Sequence, residues 1–145
     1  MDPTDDRPYR ITFAPRAEYL RVEVQGPRIS LQIVRDYWSD VAEECRRRGV
    51  RQALVVENLI GPSPDREEAI PALVEHLRGL GLEGVRIAFV KHDTRDVALA
   101  EMAGLLVRAT GWDAKTFTDE ARALLWLRHG VPETDRAPSL RKDRD

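Results

Sequence analysis

The feature that most constrains this chain is a hydrophobic period that switches repeatedly between Ile11 and Leu127, from two residues to three-and-four and back. Side chains alternate across a strand and recur at about 3.6 residues on a helix, so each switch marks a change of element. Ile11 and Phe13 alternate with polar neighbours. Leu20, Val22 and Val24 then alternate with Arg21, Glu23 and Gln25 until Gly26-Pro27. This predicts two half-buried strands joined by a turn from Pro15 to Glu18. Ile33, Val34, Tyr37, Trp38, Val41, Ala42 and Cys45 carry the spacing of a helix that buries one stripe, with Ser30 as N-cap and Gly49 as stop. Ala53-Leu54-Val55-Val56 is an unbroken apolar run that suits a strand covered on both faces, its end marked by Glu57 and Asn58. After the loop Gly61-Pro62-Ser63-Pro64, the residues Ile70, Leu73, Val74 and Leu77 resume helical spacing. Proline is tolerated only in a first turn, so Pro71 sets the start of this helix near Glu67 or later. A second apolar strand over Val85–Val90 ends at Lys91-His92-Asp93-Thr94. A third helix follows through Val97, Ala98, Met102, Leu105 and Leu106, then a short strand over Lys115–Phe117 and a last helix through Ala121, Leu124, Leu125 and Leu127.

That order predicts an α/β fold: a mixed, mostly parallel sheet flanked by helices, with the N-terminal β-hairpin as an antiparallel edge. A length of 145 residues corresponds to one domain at roughly 100–200 residues each. The expected bounds are residues 9–129, between a loose N-terminus (1–8) and a loose charged tail (130–145). Hydrophobic residues at 42% and charged residues at 33% supply one core and exclude a disordered chain. With 23 basic against 25 acidic side chains, the formal charge of -2 gives no excess to draw the protein onto nucleic acid or an anionic membrane. The single Cys45 has no internal disulfide partner and points to a reducing, cytoplasmic setting. No apolar run approaches the ~20 residues of a membrane span, and the acidic start Met1-Asp2-Pro3-Thr4-Asp5-Asp6 is unlike a secretory signal.

Several segments together resemble the bacterial SpoIIAA-like proteins of the sulphate-transporter and anti-sigma-factor-antagonist (STAS) group. These are Val22-Glu-Val-Gln-Gly26, the long helix with Tyr37 and Trp38, Arg86-Ile-Ala-Phe-Val-Lys-His-Asp93, a helix with Met102, Thr110-Gly-Trp-Asp113, and Lys115-Thr-Phe-Thr-Asp-Glu-Ala-Arg-Ala-Leu-Leu-Trp-Leu127. The resemblance covers roughly Tyr19 to Leu127. It implies a STAS-like fold and a non-enzymatic regulatory or protein-interaction module of stress or sigma-factor signalling, with a related lipid-carrying branch and no cofactor. Phospho-switch members carry a serine or threonine at the start of the helix after the central strand, in an Asp-Ser-x-Gly-like context. In Glu57-Asn-Leu-Ile-Gly-Pro-Ser-Pro-Asp65, Ser63 takes that place, followed by proline rather than by the family's pattern.

Two groups of residues are candidates for chemistry. Ser63 is a possible phospho-acceptor or anion site, because a helix N-terminus offers amide donors and a favourable dipole for phosphate; the plainer reading is a cap or turn serine. The second group stands where two central strands end: Glu57 and Asn58 after one, Lys91, His92 and Asp93 after the next. Ligands of open parallel sheets collect in the crevice outside such ends, so these five residues are expected to share one binding face. Acid/base catalysis there requires His92 held by Glu57 or Asp93. Trp112, after Gly111 in a loop, is a partly exposed anchor for a partner or apolar ligand, or else a plug at the end of the sheet. Tyr37, Trp38 and Trp126 read as core. His76, His92 and His129 are too far apart for a metal pattern, and His76 reads as solvated. Arg46-Arg47-Arg48 complements the carbonyl end of the first long helix. A protein partner is the leading expectation and a small apolar ligand or lipid the alternative; an enzyme using His92 comes third, and exposed apolar patches would permit a homodimer.

Overall fold

In the computed structural model, which describes residues 8–27, 29–60, 67–91, 105 and 108–129, β1 (Arg10–Pro15) and β2 (Leu20–Gly26) form the expected hairpin. The Arg16 N–H closes its turn on the Tyr19 carbonyl at 2.8 Å. Then follow α1 (Leu31–Arg48), β3 (Gln52–Leu59), a 3-10 turn (Glu67–Ala69) leading into α2 (Ile70–Arg78), β4 (Arg86–Lys91), β5 (Ala114–Phe117) and α3 (Glu120–His129). Of the helix expected over Val97–Leu106, only Leu105 belongs to the described residues; it is helical, as are residues 108–110.

Local chemistry accounts for the ends of α1. Ser30 is extended and its hydroxyl accepts the Ile33 N–H at 3.1 Å, filling one of the amide vacancies of a first turn. Gly49 takes the left-handed conformation at φ 64°, which a side chain resists, and its N–H bonds back to the Arg46 carbonyl at 3.3 Å. In the last turn Arg46 pairs with Glu43, and Arg47 and Arg48 both pair with the buried Glu44. Those guanidinium groups, Arg47 first, hold the Glu44 carboxyl below the usual carboxylate range. Pro71 lies in the first turn of α2, as its missing N–H demands.

The sheet runs in the order β1-β2-β3-β4-β5, with β1 antiparallel to β2 and every later pair parallel. Each parallel step advances in one direction, so crossovers of one hand put α1 and α2 on the same face. There Tyr37, Trp38, Val41 and Cys45 of α1 and Leu73 and Leu77 of α2 join Val22, Val55, Ile87 and Phe89 in one core. Helix α3 covers the other face, where Ala123 and Leu127 close over Leu54, Val56, Ala88 and Val90. Burial on both faces is why the Ala53–Val56 run does not alternate. No helix among the described residues is long and apolar enough to cross a membrane.

The end of β2 depends on a missing side chain. A Cβ at Gly26 would lie 2.9 Å from Leu59 Cδ2, 3.1 Å from the Pro8 carbonyl oxygen and 3.4 Å from Tyr9 Cα. The Leu59 side chain must shift although it is fully buried, and the Pro8 carbonyl must give way, next to Tyr9, which is buried with its hydroxyl donating to Asp40 Oδ2 at 2.6 Å. Gly26→Ala is therefore expected to destabilise the fold by about 1–3 kcal/mol, measured by urea unfolding.

Candidate functional site

The polar residues expected to terminate β3 and β4 are inside those strands. Strand β3 continues through Glu57 and Asn58 to Leu59, and β4 includes Lys91. Period-two geometry then decides their directions. Glu57 follows Ala53 and Val55 onto the α1 face, whereas Asn58 follows Leu54 and Val56 onto the opposite face. A single face shared by Glu57, Asn58 and Lys91 is thereby corrected. Ser63, His92 and Asp93 lie outside the described residues.

Glu57 and Lys91 are register partners on adjacent strands, at 3% and 5% exposure. Lys91 Nζ donates to Glu57 Oε2 at 2.7 Å, and the hydroxyl of the fully buried Tyr37 donates to the other oxygen, Oε1. Both oxygens of the carboxylate thus face a donor, one cationic and one neutral. That satisfies the condition on which a buried charge is tolerated: a partner for the charge and hydrogen bonds for the remaining lone pairs. Burial first, then the adjacent Glu57 carboxylate, pushes the Tyr37 phenol well above its ordinary value. The hydroxyl is fixed as a donor and is not poised to act as a base. Sequence reading placed Tyr37 in the core and missed its polar tip. The signal for it was that a tyrosine on a buried stripe needs a hydrogen-bond partner.

Asn58 belongs to a second polar group on the outer face of the hairpin. Its Nδ2 donates to Glu23 Oε2 at 3.2 Å, Gln25 Nε2 donates to the same oxygen at 2.9 Å, and Arg21 Nη1 donates to Glu23 Oε1 at 3.0 Å. Arg21 also grips Glu120 through Nε at 2.7 Å and Nη2 at 3.1 Å, tying β2 to the first turn of α3. Its hydrogen bond to Glu23 is the main reason that the Glu23 carboxyl is held below the usual range. At the other end of α3, the Arg86 guanidinium lies over the Trp126 ring at 4.4 Å and donates to the Trp126 carbonyl at 3.3 Å and to Asp113 at 3.1 Å.

Trp112 is a core residue, which corrects the reading of it as a partly exposed anchor. It is 7% exposed, with its ring centroid 5.1 Å from that of Trp38, and Trp38 in turn meets Phe89 at 6.0 Å. Gly111, at φ 76°, makes the sharp turn that folds the indole inward. Its Nε1 has no acceptor among the described residues. His76, expected to be solvated, is half-buried between helices instead. Ser39 spends its one hydroxyl proton on the Arg35 carbonyl at 2.9 Å, so the contact of 2.9 Å to His76 Nε2 has the imidazole as donor. Desolvation, with the charge of Arg35, holds His76 below its ordinary value. His129 is exposed in the last turn of α3, beside its carbonyls. No group of three or more metal-ligating side chains exists among the described residues.

The strand order bears on what these residues can do. Crevices that take ligands in open α/β sheets form where the order reverses and helices diverge to opposite faces. Here β1 to β5 run in sequence without reversal, so the ends of β3 and β4 flank no such switch point. No family model matches the chain, and the search of curated proteins finds no match.

Two buried groups set an alkaline limit to the fold. The folded pKa of Tyr37 lies well above 10.0, and burial pushes the Cys45 thiol from 9.0 up to about 11. For a group whose pKa is raised on folding, the stabilisation is complete below the unfolded value and disappears as the pH rises toward the folded one. Thermal stability is therefore expected to fall from about pH 9 upward. Replacing Tyr37 with phenylalanine is expected to flatten the part of the decline above pH 10.0. Melting curves from neutral to alkaline pH check both.

Proposed function

We propose that this chain is a non-catalytic, STAS-like (SpoIIAA-like) interaction module that acts by binding a protein partner. The observation that carries this reading is the buried Tyr37–Glu57–Lys91 network. Among the described residues at the ends of the central strands, Glu57 and Lys91 are internal, paired with each other and, through Glu57, with Tyr37, and held by the fold. A reaction centre needs its acid and base within reach of a substrate. The architecture is compatible with this reading: a mixed, mostly parallel sheet flanked by helices, with a hairpin at one edge. The lipid-carrier alternative needs an apolar chamber between helix and sheet, whereas the α1 stripe meets the sheet through stacked rings, Trp38 on Phe89 and Trp112.

In this reading Ser63 is the position at which phosphorylation would alter a contact, by adding about -1.5 to -2 charges near a helix start. The test is capture of partners with the intact chain, then titration of the purified partner against the parent, Ser63→Ala and Ser63→Asp. The expected result is a saturable complex that leaves both components chemically unchanged and is weakened by Ser63→Asp. Steady consumption of a small molecule by the purified chain, abolished on replacing His92, would overturn the reading.

A further inference from the structure

Charge is distributed unevenly along the strand direction. The starts of β2, β3, β4 and β5, together with the C-terminal ends of α1, α2 and α3, lie at one end of the sheet, because each helix runs back before the next strand begins. That end holds Arg16 in the hairpin turn, Arg46 and Arg47 on α1, Arg51 before β3, Arg78 on α2 and Arg128 on α3, all exposed. Register and contacts bring Arg16, Arg51 and Arg128 to the same edge. Leu20, which follows the Arg16 turn, pairs with Ala53, the second residue after Arg51. The Arg51 carbonyl accepts the Arg86 N–H at 2.8 Å, and Arg86 itself reaches Trp126, two residues before Arg128.

Two local causes explain part of this concentration. Arginines in a last helical turn offset exposed carbonyls, and Glu43 pairs with Arg46 while Glu44 pairs with Arg47. A surplus is left. Arg51, Arg78 and Arg128 form no ion pair among the described residues, and the guanidinium of Arg16 reaches only the Pro15 carbonyl, at 3.4 Å. At the same end, Glu18, Glu75 and Glu83 are the carboxylates without such a pair among the described residues, fewer than the arginines there. The strand-exit end is near balance: Asp36, Asp40, Asp119 and the Arg21-paired Glu120 stand beside Arg10, Arg35 and Arg122.

We propose that the strand-start end docks an acidic segment of a protein partner. This deepens the interaction-module reading and rests on it. Five strands span about 19 Å at ~4.8 Å per spacing, a width that an extended segment of about six residues covers. The occupant is a short acidic peptide and not a nucleic acid for two reasons. The whole chain carries a net -2, so a long polyanion that overruns the patch meets repulsion. The aromatic rings here are taken among the described residues: Trp126 is stacked under Arg86 and against Phe117, and Tyr19 packs against the core on the α3 face, which leaves little platform for a base.

The test is fluorescence anisotropy of a labelled glutamate-rich peptide of about twelve residues against the full chain, beside its glutamine counterpart and a DNA duplex. Binding to the glutamate peptide is expected to weaken about tenfold between ~50 and ~300 mM salt, as contacts between exposed charges do. The double reversal Arg16→Glu/Arg51→Glu is expected to cost at least about tenfold in affinity, and Arg10→Glu at the opposite end less than about twofold. Equal binding of the glutamine peptide, an equal loss with Arg10→Glu, or tighter binding of the duplex overturns the proposal. A purified partner whose affinity ignores the double reversal overturns this site alone and leaves the module reading standing. Substrate turnover overturns the module reading, while the peptide result still decides the site.

Discussion

Replacing Lys91 with methionine is expected to remove about 3–5 kcal/mol of folding stability, the cost of leaving a buried carboxylate without its counter-charge. The side chains of Lys91 and Glu57 are 6% and 3% exposed, so water cannot take over the lost role. Tyr37 alone would still donate to one carboxylate oxygen, and a neutral donor does not neutralise a charge. The converse change, Glu57→Gln, strands the ammonium group in the same way and is expected to be of similar size. Tyr37→Phe removes only one hydrogen bond to a charged group and is expected to cost less, about 1.5–3 kcal/mol. That ranking, with lysine or glutamate replacement well above tyrosine, is the signature to look for in urea unfolding at neutral pH.

Trp38→Ala is the second large effect, again about 3–5 kcal/mol, by a different mechanism. The Trp38 ring lies 5.6 Å from Tyr37, 6.0 Å from Phe89 and 5.1 Å from Trp112, centroid to centroid. It joins helix α1, strand β4 and the turn before β5 in one aromatic stack. Truncation removes the centre of that stack, and three rings anchored on separate elements cannot all close the gap. For a domain of this size, losses of this kind lower the melting temperature on the order of 10–20 °C. Trp38→Phe keeps a ring in place and is expected to retain most of the stability. The change in tryptophan emission should report on Trp112, whose indole then has a smaller neighbour.

What the sequence made legible was local, and what it concealed was long-range. Ser30 and Gly49 act on their own turn of helix, so residue type alone set both ends of α1. Pro71 constrained the start of α2 through its own ring. Glu57 and Lys91 were misplaced beyond their strands because polar residues at the edge of an apolar run ordinarily mark its end. What keeps them inside is each other, 34 residues apart and brought level by the β3–β4 register, which no periodicity reveals. Asn58 was separated from Glu57 once the strand extended through both, since consecutive strand residues face opposite ways. Trp112 read as a loop residue and is one, but its burial depends on Trp38, far away in sequence on a helix that crosses the same sheet.

The account turns on Tyr37, Glu57 and Lys91 being an internal structural network and not a reaction centre. A buried, fully paired ionic group can be exchanged for apolar residues of similar volume with little or no loss of stability, provided that all partners change together. The most direct measurement is the unfolding free energy of Tyr37→Phe/Glu57→Leu/Lys91→Met beside that of Lys91→Met alone, with partner binding measured on the triple variant. The account expects the triple variant to recover most of the stability lost by the single one, or to exceed the parent, and to bind its partner with unchanged affinity. A stable triple variant that has lost its function, or one that gains nothing over the single replacement, would contradict it.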